Sequence, residues 1–459
     1  MTPQIHPRRR PTFARTAGCA AAVVLSLLAA GCADSHRDST PGEGKSSGSQ
    51  SAPTTTPTPA TDVREPAGIA RTLRPAPAPL SRPGSKAWTE VLRRPDITAA
   101  FGTASAEAAP NLQFPYATRA TDGHRSAVLV GVNRNRDTLA SAESFATLRS
   151  TDDGRTWQLL KASVPMSSAY QDGHGGVLSV NMRSSAGSTV RERHLTTWTS
   201  SDLGATWTRH RATLTAPFAM ASAYFHRDIV PSRDGKRLIA AVYGKRPGSP
   251  RYEVWTAESE DRGTSWRIAS TVASGASLGW DSGPGPQTEG FDEPSLARLA
   301  DGRLLAVVRR SAPIDPAVCR GQGKGLEIVT LESDDDGRTW ANPNQLTDAG
   351  DGVQYRTAAP HLAQTSRGLL MSVGRPGTAL LRPTAGNLPR STGPGPDDWT
   401  ALDQFSPGTT SGYTSIVEVA PGRVLQFGDH GSNWCFPAFS GPPPSGIWMR
   451  QLEVPAVGR

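Results

Sequence analysis

Ser150–Trp157 reads STDDGRTW, and the pattern returns as SSDLGATW over Ser200–Trp207, SEDRGTSW over Ser259–Trp266 and SDDDGRTW over Ser333–Trp340. Serine, aspartate, glycine and tryptophan keep their places in every copy, and the threonine place changes once, to Ser265. Each copy predicts a hairpin corner. Aspartate and serine bond a turn backbone that would otherwise be unpaired, glycine takes a positive φ, and tryptophan packs beneath the sheet. Asp152, Asp202, Asp261 and Asp335 are therefore read as structural groups rather than acid/base carboxylates. The DDDG run from Asp334 belongs to the same turn and lacks the spacing of a calcium-binding loop.

A second repeat precedes these corners. EPSLARLADGRLLAVVRR from Glu293 alternates apolar residues, turns at a glycine and enters another β-rich run, which is a β-hairpin pattern. Turn glycines recur at Gly123, Gly176, Gly235, Gly302, Gly368 and Gly422, separated by 53, 59, 67, 66 and 54 residues. Six hairpins predict an all-β, six-bladed β-propeller, and the 46 glycines and 39 prolines suit a chain of short strands and turns. The second hairpin is the least regular, and DDWT from Asp397 reads as a decayed corner. AWTEVLRR from Ala87 is a candidate for the strand that closes the ring. Together these repeats resemble the Asp boxes, or BNR repeats, of sialidase-superfamily propellers.

The N-terminal stretch reads as an export signal, with Arg8, Arg9, Arg10 and Arg15 before an apolar run from Ala17 to Ala30 that is too short to span a bilayer. It ends in LAAGC, which resembles the lipobox of bacterial lipoproteins and makes Cys32 the lipidated residue; Ala29 stands where that motif usually has leucine. The expected location is the outer face of the cell membrane, lipid-anchored, or plain secretion. From Ala33 to about Ser85 the chain is rich in Ser, Thr, Pro and Gly and is expected to be an extended tether. The domain boundaries are thus 1–31 signal, 32–85 linker and 86–459 propeller. Cys319 and Cys435 remain, and both a disulfide and two buried thiols are open readings. The formal charge of +8 includes the four signal arginines, leaving +4 from 45 basic and 41 acidic residues. No basic stripe points to nucleic acid. No HExxH helix, paired CxxC or phosphate loop is present, so neither metal nor cofactor is expected, and a monomer is.

In a propeller the first strand of each blade lines the axis, so its start and the end of its hairpin partner share one face. Counting nine residues before and seven after each turn glycine gives Glu293 and Arg309 in blade four, Ala359 and Arg375 in blade five, and Tyr413 and Asp429 in blade six. Glu293 and Arg309 are predicted to be cross-strand neighbours. An ordinary cross-strand ion pair with a rim tyrosine is the plainer account of the same residues.

In identity, spacing and order, Glu293, Arg309, Arg375 and Tyr413 resemble the site of bacterial exo-sialidases. The resemblance implies Tyr413 as nucleophile, Glu293 as its base, and Arg309 and Arg375 as clamps on the sugar carboxylate. A neutral phenol approaches an anomeric carbon bearing a carboxylate more easily than an anionic nucleophile does, and planar guanidinium forks suit that carboxylate. The family's first clamp arginine sits in a Phe-Arg-Ile-Pro motif, and here LQFP puts Gln113 in its place. An amide can hydrogen-bond a carboxylate but supplies no charge. Arg227, in FHRDIVP, is either a compensating cation or a strand-end ion pair. The family's acid/base aspartate corresponds to Asp137, which competes with Glu143 and with a solvated-loop reading. Asp429 joins the substrate-binding candidates. The expectation is an extracellular glycoside hydrolase acting on sialosides or another acidic glycan. A non-catalytic glycan-binding propeller is the alternative, and a protein scaffold is a third reading, since fold does not fix function.

Overall fold

The computed structural model describes residues 62–108, 111–134, 144–278, 290–311, 327–346, 358–374, 378–385, 388, 398–405, 410–430 and 446–456. The export signal, Cys32, the other cysteines, Asp137, Glu143, Arg375 and Asp397 lie outside these residues.

The fold is all-β. Its strands form antiparallel four-stranded units, the first five in chain order and the sixth completed by an N-terminal strand; parallel pairs join units two and three into one larger sheet. The first unit holds Gln113–Thr121, Ser126–Asn133, Phe145–Ser150 and Trp157–Leu160. The second holds Ser168–Gln171, Val177–Val180, Glu192–Ser200 and Thr208–Thr215. Ser222–Pro231, Leu238–Lys245, Glu253–Ser259 and Ser265–Ala273 make the third. Gly290–Arg298, Leu304–Ser311, Glu327–Ser333 and Ala341–Leu346 make the fourth. The fifth comprises Ala358–Thr365, Gly368–Gly374, Thr378–Pro383 and Trp399–Phe405. In the sixth, Thr414–Ala420, Arg423–His430 and Gly446–Glu453 are completed by Thr89–Arg93, the AWTEVLRR segment, which pairs antiparallel with Gly446–Met449. First strands of successive units are neighbours, and the first strand of unit six lies against that of unit one.

The four corner motifs form as their residues require. In the first, Ser150 Oγ donates to Asp152 at 2.8 Å and accepts from Gly154 N at 2.9 Å, while Asp152 accepts from Thr156 N at 2.9 Å and Thr156 Oγ1 at 2.6 Å. Trp157 Nε1 closes the turn on Gly154 O at 3.1 Å. Ser265 makes the threonine's bonds in the third copy, donating to Asp261 through N at 2.8 Å and Oγ at 2.5 Å. These bonds to the carboxylates hold Asp152, Asp202, Asp261 and Asp335 below the usual range although burial pushes the other way. The residue before each glycine is left-handed as well, at Asp153, Leu203, Arg262 and Asp336, with φ of 57°, 58°, 59° and 60°. Each corner also leans on the unit before it. A Cβ added at Gly204 would meet Leu129 of unit one, at Gly263 Leu178 of unit two, and at Gly154 Leu425 and Met449 of unit six. Trp157 stands edge-on to Phe427 at 5.7 Å, and Arg423 pairs with Asp153. In unit five Trp399 is buried and its Nε1 has no partner among the described residues.

In the second hairpin the left-handed glycines are Gly173 (78°) and Gly175 (91°), just before Gly176. One expectation is corrected. The tether does not extend to Ser85. Val63–Arg64 pairs with Thr208–Arg209, Ile69–Leu73 with Trp157–Leu160, and Leu80–Ser81 with Gln451–Leu452. Composition concealed this because edge strands bury little side chain and take their stability from the backbone of the strand they cover. Glu65 adds an anchor, accepting from Trp198 Nε1 at 3.2 Å. A chain beginning at Asp62 should melt with the full-length protein in circular dichroism, whereas one beginning at Ala87 should melt several degrees lower, at roughly 2–4 °C per kcal/mol lost. Equal melting of the two truncations would show that the segment is a tether after all.

Candidate functional site

One backbone feature recurs in every unit, within its first strand or up to two residues before it. Phe114, Met166, Arg227, Glu293, Ala359 and Gly412 have φ of 54°, 55°, 64°, 47°, 41° and 85°. Left-handed backbone is uncommon for residues other than glycine. In units one, three, four and five the register with the second strand breaks across this residue, the mark of a β-bulge. Near the bulge the ladder no longer serves every N–H, and a buried N–H must find another acceptor. Side chains of other units supply it. Leu296 N donates to Asp228 at 3.2 Å, Leu362 N to Ser295 Oγ at 2.9 Å, Ile416 N to His361 Nδ1 at 3.0 Å, and Ala117 N to Ser415 Oγ at 2.9 Å.

At the bulge of unit four, Glu293 turns its carboxylate toward unit six, where Tyr413 Oη donates to Glu293 Oε1. The other oxygen accepts from Ala359 N at 2.7 Å. Arg309 Nη1 lies 3.1 Å from Glu293 Oε1, while Arg309 Nε and Nη2 fork onto Asp292 at 2.7 and 2.9 Å. Glu293, Arg309 and Tyr413 are 4%, 7% and 8% exposed, so these bonds form in a medium that screens poorly. Burial, and then the charge of Glu293, push the Tyr413 hydroxyl well above its ordinary value, against the pull of Arg309. Burial alone would lower Arg309, but Asp292 and Glu293 outweigh it and hold the guanidinium charged. The resting arrangement is a neutral phenol donating to a carboxylate beside a fixed cation. Such a hydroxyl can pass its proton to the carboxylate when its oxygen forms a new bond.

Aromatic rings enclose this group. Phe114 packs on Tyr413 at 4.2 Å between centroids, and His226 stands edge-on to Tyr413 at 6.3 Å and to Tyr116 at 5.9 Å. Burial, and then the charge of Arg227, lower His226 to about 3, so its ring is neutral; Nδ1 donates to Pro294 O at 2.8 Å. Arg227 reaches across the axis, where Nη2 donates to Ala359 O at 2.7 Å and the guanidinium carbon lies 5.2 Å from the centre of the Tyr116 ring. On the far side of the bulges the axis widens into a cavity of ≈ 650 Å³, lined by first strands of all six units but not by Tyr413 or Glu293.

The structure brings Glu293, Arg309, Tyr413 and Arg227 together. Counting from the turns is off by one residue where the bulge intervenes: Asp292, not Glu293, pairs across from Arg309. Sequence reading therefore missed Asp292, although it adjoins Glu293 in FDEP. It also missed His226 and Tyr116, whose spacing carries no motif. Asp429 supports the loop before Tyr413 in this arrangement. It is fully buried and accepts from Ser411 N at 2.6 Å, Ser411 Oγ, Thr410 Oγ1 at 3.2 Å and Phe114 N at 3.1 Å, tying the segment before Tyr413 to unit one. Gln113 is buried, 3% exposed, and its backbone pairs with Asn133. Arg375 and Asp137 belong to the stretches outside the described residues.

A BNR repeat-like domain matches residues 169–349. No curated protein matches the chain. Among solved structures, a protein of unknown function from Dyadobacter fermentans is 15% identical, with a TM-score of 0.51 over 75% of this chain and 95% of that one. The NanB sialidase of Streptococcus pneumoniae is 13% identical, with a TM-score of 0.50 over 76% and 69%. The α-L-arabinofuranosidase Arb93A of Fusarium graminearum is 16% identical, with a TM-score of 0.50 over 74% and 93%. At such identities the likeness extends to the fold alone, and the chain has a sialidase-like, glycoside hydrolase-like all-β fold that contains a BNR repeat-like segment.

Proposed function

We propose that the chain is an exo-acting glycoside hydrolase built on a six-bladed propeller, removing a terminal acidic sugar, sialic acid in the first instance, with Tyr413 as nucleophile and Glu293 as its base. The closed circuit of first strands favours the six-bladed reading. The observation that carries the chemistry is the buried hydrogen bond from Tyr413 to Glu293 beside Arg309. Tyr413 Oη attacks the anomeric carbon while its proton passes to Glu293, and the glycosidic oxygen leaves with a proton from an acid, for which Asp137 is the candidate. Water then attacks the same carbon with Asp137 as base, and Glu293 returns its proton to Tyr413 as the sugar departs. We further propose export and a lipid anchor at Cys32, which would hold this activity at the outer face of the membrane.

A non-catalytic glycan-binding role is favoured by one pair of observations: Gln113 stands where the family has an arginine, and the fork of Arg309 is filled by Asp292. A panel of fluorogenic glycosides comprising sialosides, uronides and arabinofuranosides separates the two. The hydrolase reading expects turnover of an acidic member, lowered roughly 10²–10⁴-fold by Glu293→Gln and at least as far by Tyr413→Phe. Binding without turnover of any member would establish the alternative. Turnover that survives Tyr413→Phe would remove Tyr413 from the mechanism.

A second expectation concerns Asp429. Asp429→Ala should leave buried donors of Ser411, Thr410 and Phe114 unserved, each at a cost of roughly 1–3 kcal/mol. Chemical denaturation should therefore show a loss of stability together with a fall in kcat, because the residues leading into Tyr413 lose their anchor. A ligand-contact role would instead raise KM and leave stability unchanged.

A further inference from the structure

We infer that Arg227 is the anion-recognising residue of this site, taking the carboxylate of the acidic sugar in the role that the family gives to the arginine replaced here by Gln113. The inference rests on the acidic-sugar reading and adds to it the group that selects the substrate. It stands on the state of the guanidinium. Arg227 is 4% exposed, and of its three nitrogens only Nη2 has a hydrogen-bond partner, the Ala359 carbonyl; Nε and Nη1 have none among the described residues. No carboxylate lies within ion-pair distance of it among those residues, in contrast to Arg309, whose fork is filled by Asp292 and whose remaining end touches Glu293. A buried cation with unspent donors is costly unless something anionic joins it. Burial accordingly lowers its affinity for the proton, and the surrounding oxygens of Tyr116, Asp228, Tyr413 and Glu293 only oppose that effect.

Position agrees with this. Ala359 links Arg227 to Glu293, its carbonyl accepting from the guanidinium and its amide donating to the carboxylate, so an anion on Arg227 lies within one residue's span of the Tyr413–Glu293 pair. The Tyr116 ring lies 5.2 Å from the guanidinium carbon, a cation–π contact that uses none of its N–H donors. His226, next in the chain, is neutral, and its Nε2 also has no partner among the described residues. It adds an acceptor for a sugar hydroxyl without competing for the anion.

The test compares acids with their neutral esters. N-acetylneuraminic acid, glucuronic acid and the methyl ester of each are titrated into the full chain by calorimetry, with the same measurements on Arg227→Met and Arg227→Lys and a thermal melt for each variant. Wild type should bind one acid more tightly than its ester by roughly 10–100-fold. Arg227→Met should bring the pair level, and Arg227→Lys should keep part of the preference, since an ammonium keeps the charge but not the fork. A folded Arg227→Met that retains the wild-type preference overturns the assignment and leaves the acidic-sugar reading standing. Absence of any acid preference in wild type overturns both. Should Arg227→Met fail to fold, the lysine variant decides: an undiminished preference sinks the proposal and a reduced one supports it.

Discussion

The structure depends on one constraint: the first strands of the six units run side by side around an axis where, apart from the short parallel contact of units two and three, they do not pair with one another. Their bulged starts therefore need side chains from other units to serve the backbone. Asp228 of unit three serves unit four, Ser295 of unit four serves unit five, His361 of unit five serves unit six, and Ser415 of unit six serves unit one. These residues are the joints of the ring. His361 also lies 3.4 Å from Asp228, so the joints touch one another across the axis. The apolar clusters between units supply most of the burial, but they are not directional; the polar joints fix how each bulge is set against the next.

Glu293 belongs to the same system. Its carboxylate accepts from Ala359 N much as Asp228 accepts from Leu296 N, so the group with the most chemical potential in the molecule is also a joint. This explains how a carboxylate is held ready at 4% exposure: one oxygen is fixed by backbone, the other is left for Tyr413 and Arg309. Asp292 takes up the fork of Arg309 and prevents it from swinging onto Glu293 in a bidentate pair, which would bury the oxygen that Tyr413 addresses.

Repetition explains what could be read from the sequence and what could not. The corners at Ser150, Ser200, Ser259 and Ser333 were legible because they are local: each makes its bonds within eight residues, so the pattern and the structure coincide. The hairpin glycines were legible for the same reason. Asp292 was missed because its pairing with Arg309 depends on a register break that no turn-based count can see. The run from Val63 to Ser81 was hidden more completely, since backbone pairing to an exposed edge leaves little trace in side-chain composition. His226 and Tyr116 acquire meaning only from units that lie far from them in the chain.

The corners, which join third to fourth strands in units one to four, and the bulges of the first strands thus carry different loads. At the corners, bonds within a turn and the lean of each glycine on the preceding unit make a rigid rim that owes nothing to ligand. At the bulges, left-handed residues, buried charges and a phenol are held in conformations that each cost stability. A free-standing sheet would relax such a bulge by slipping register. Here slipping is blocked at both sides, because a shift in one unit would pull its donors from the acceptors of the next and carry its corner off the unit behind. Closure of the circuit therefore lets the bulges keep a strained, preorganised set of polar groups. That preorganisation is what an electrostatic site requires if its groups are to need no rearrangement when charge develops.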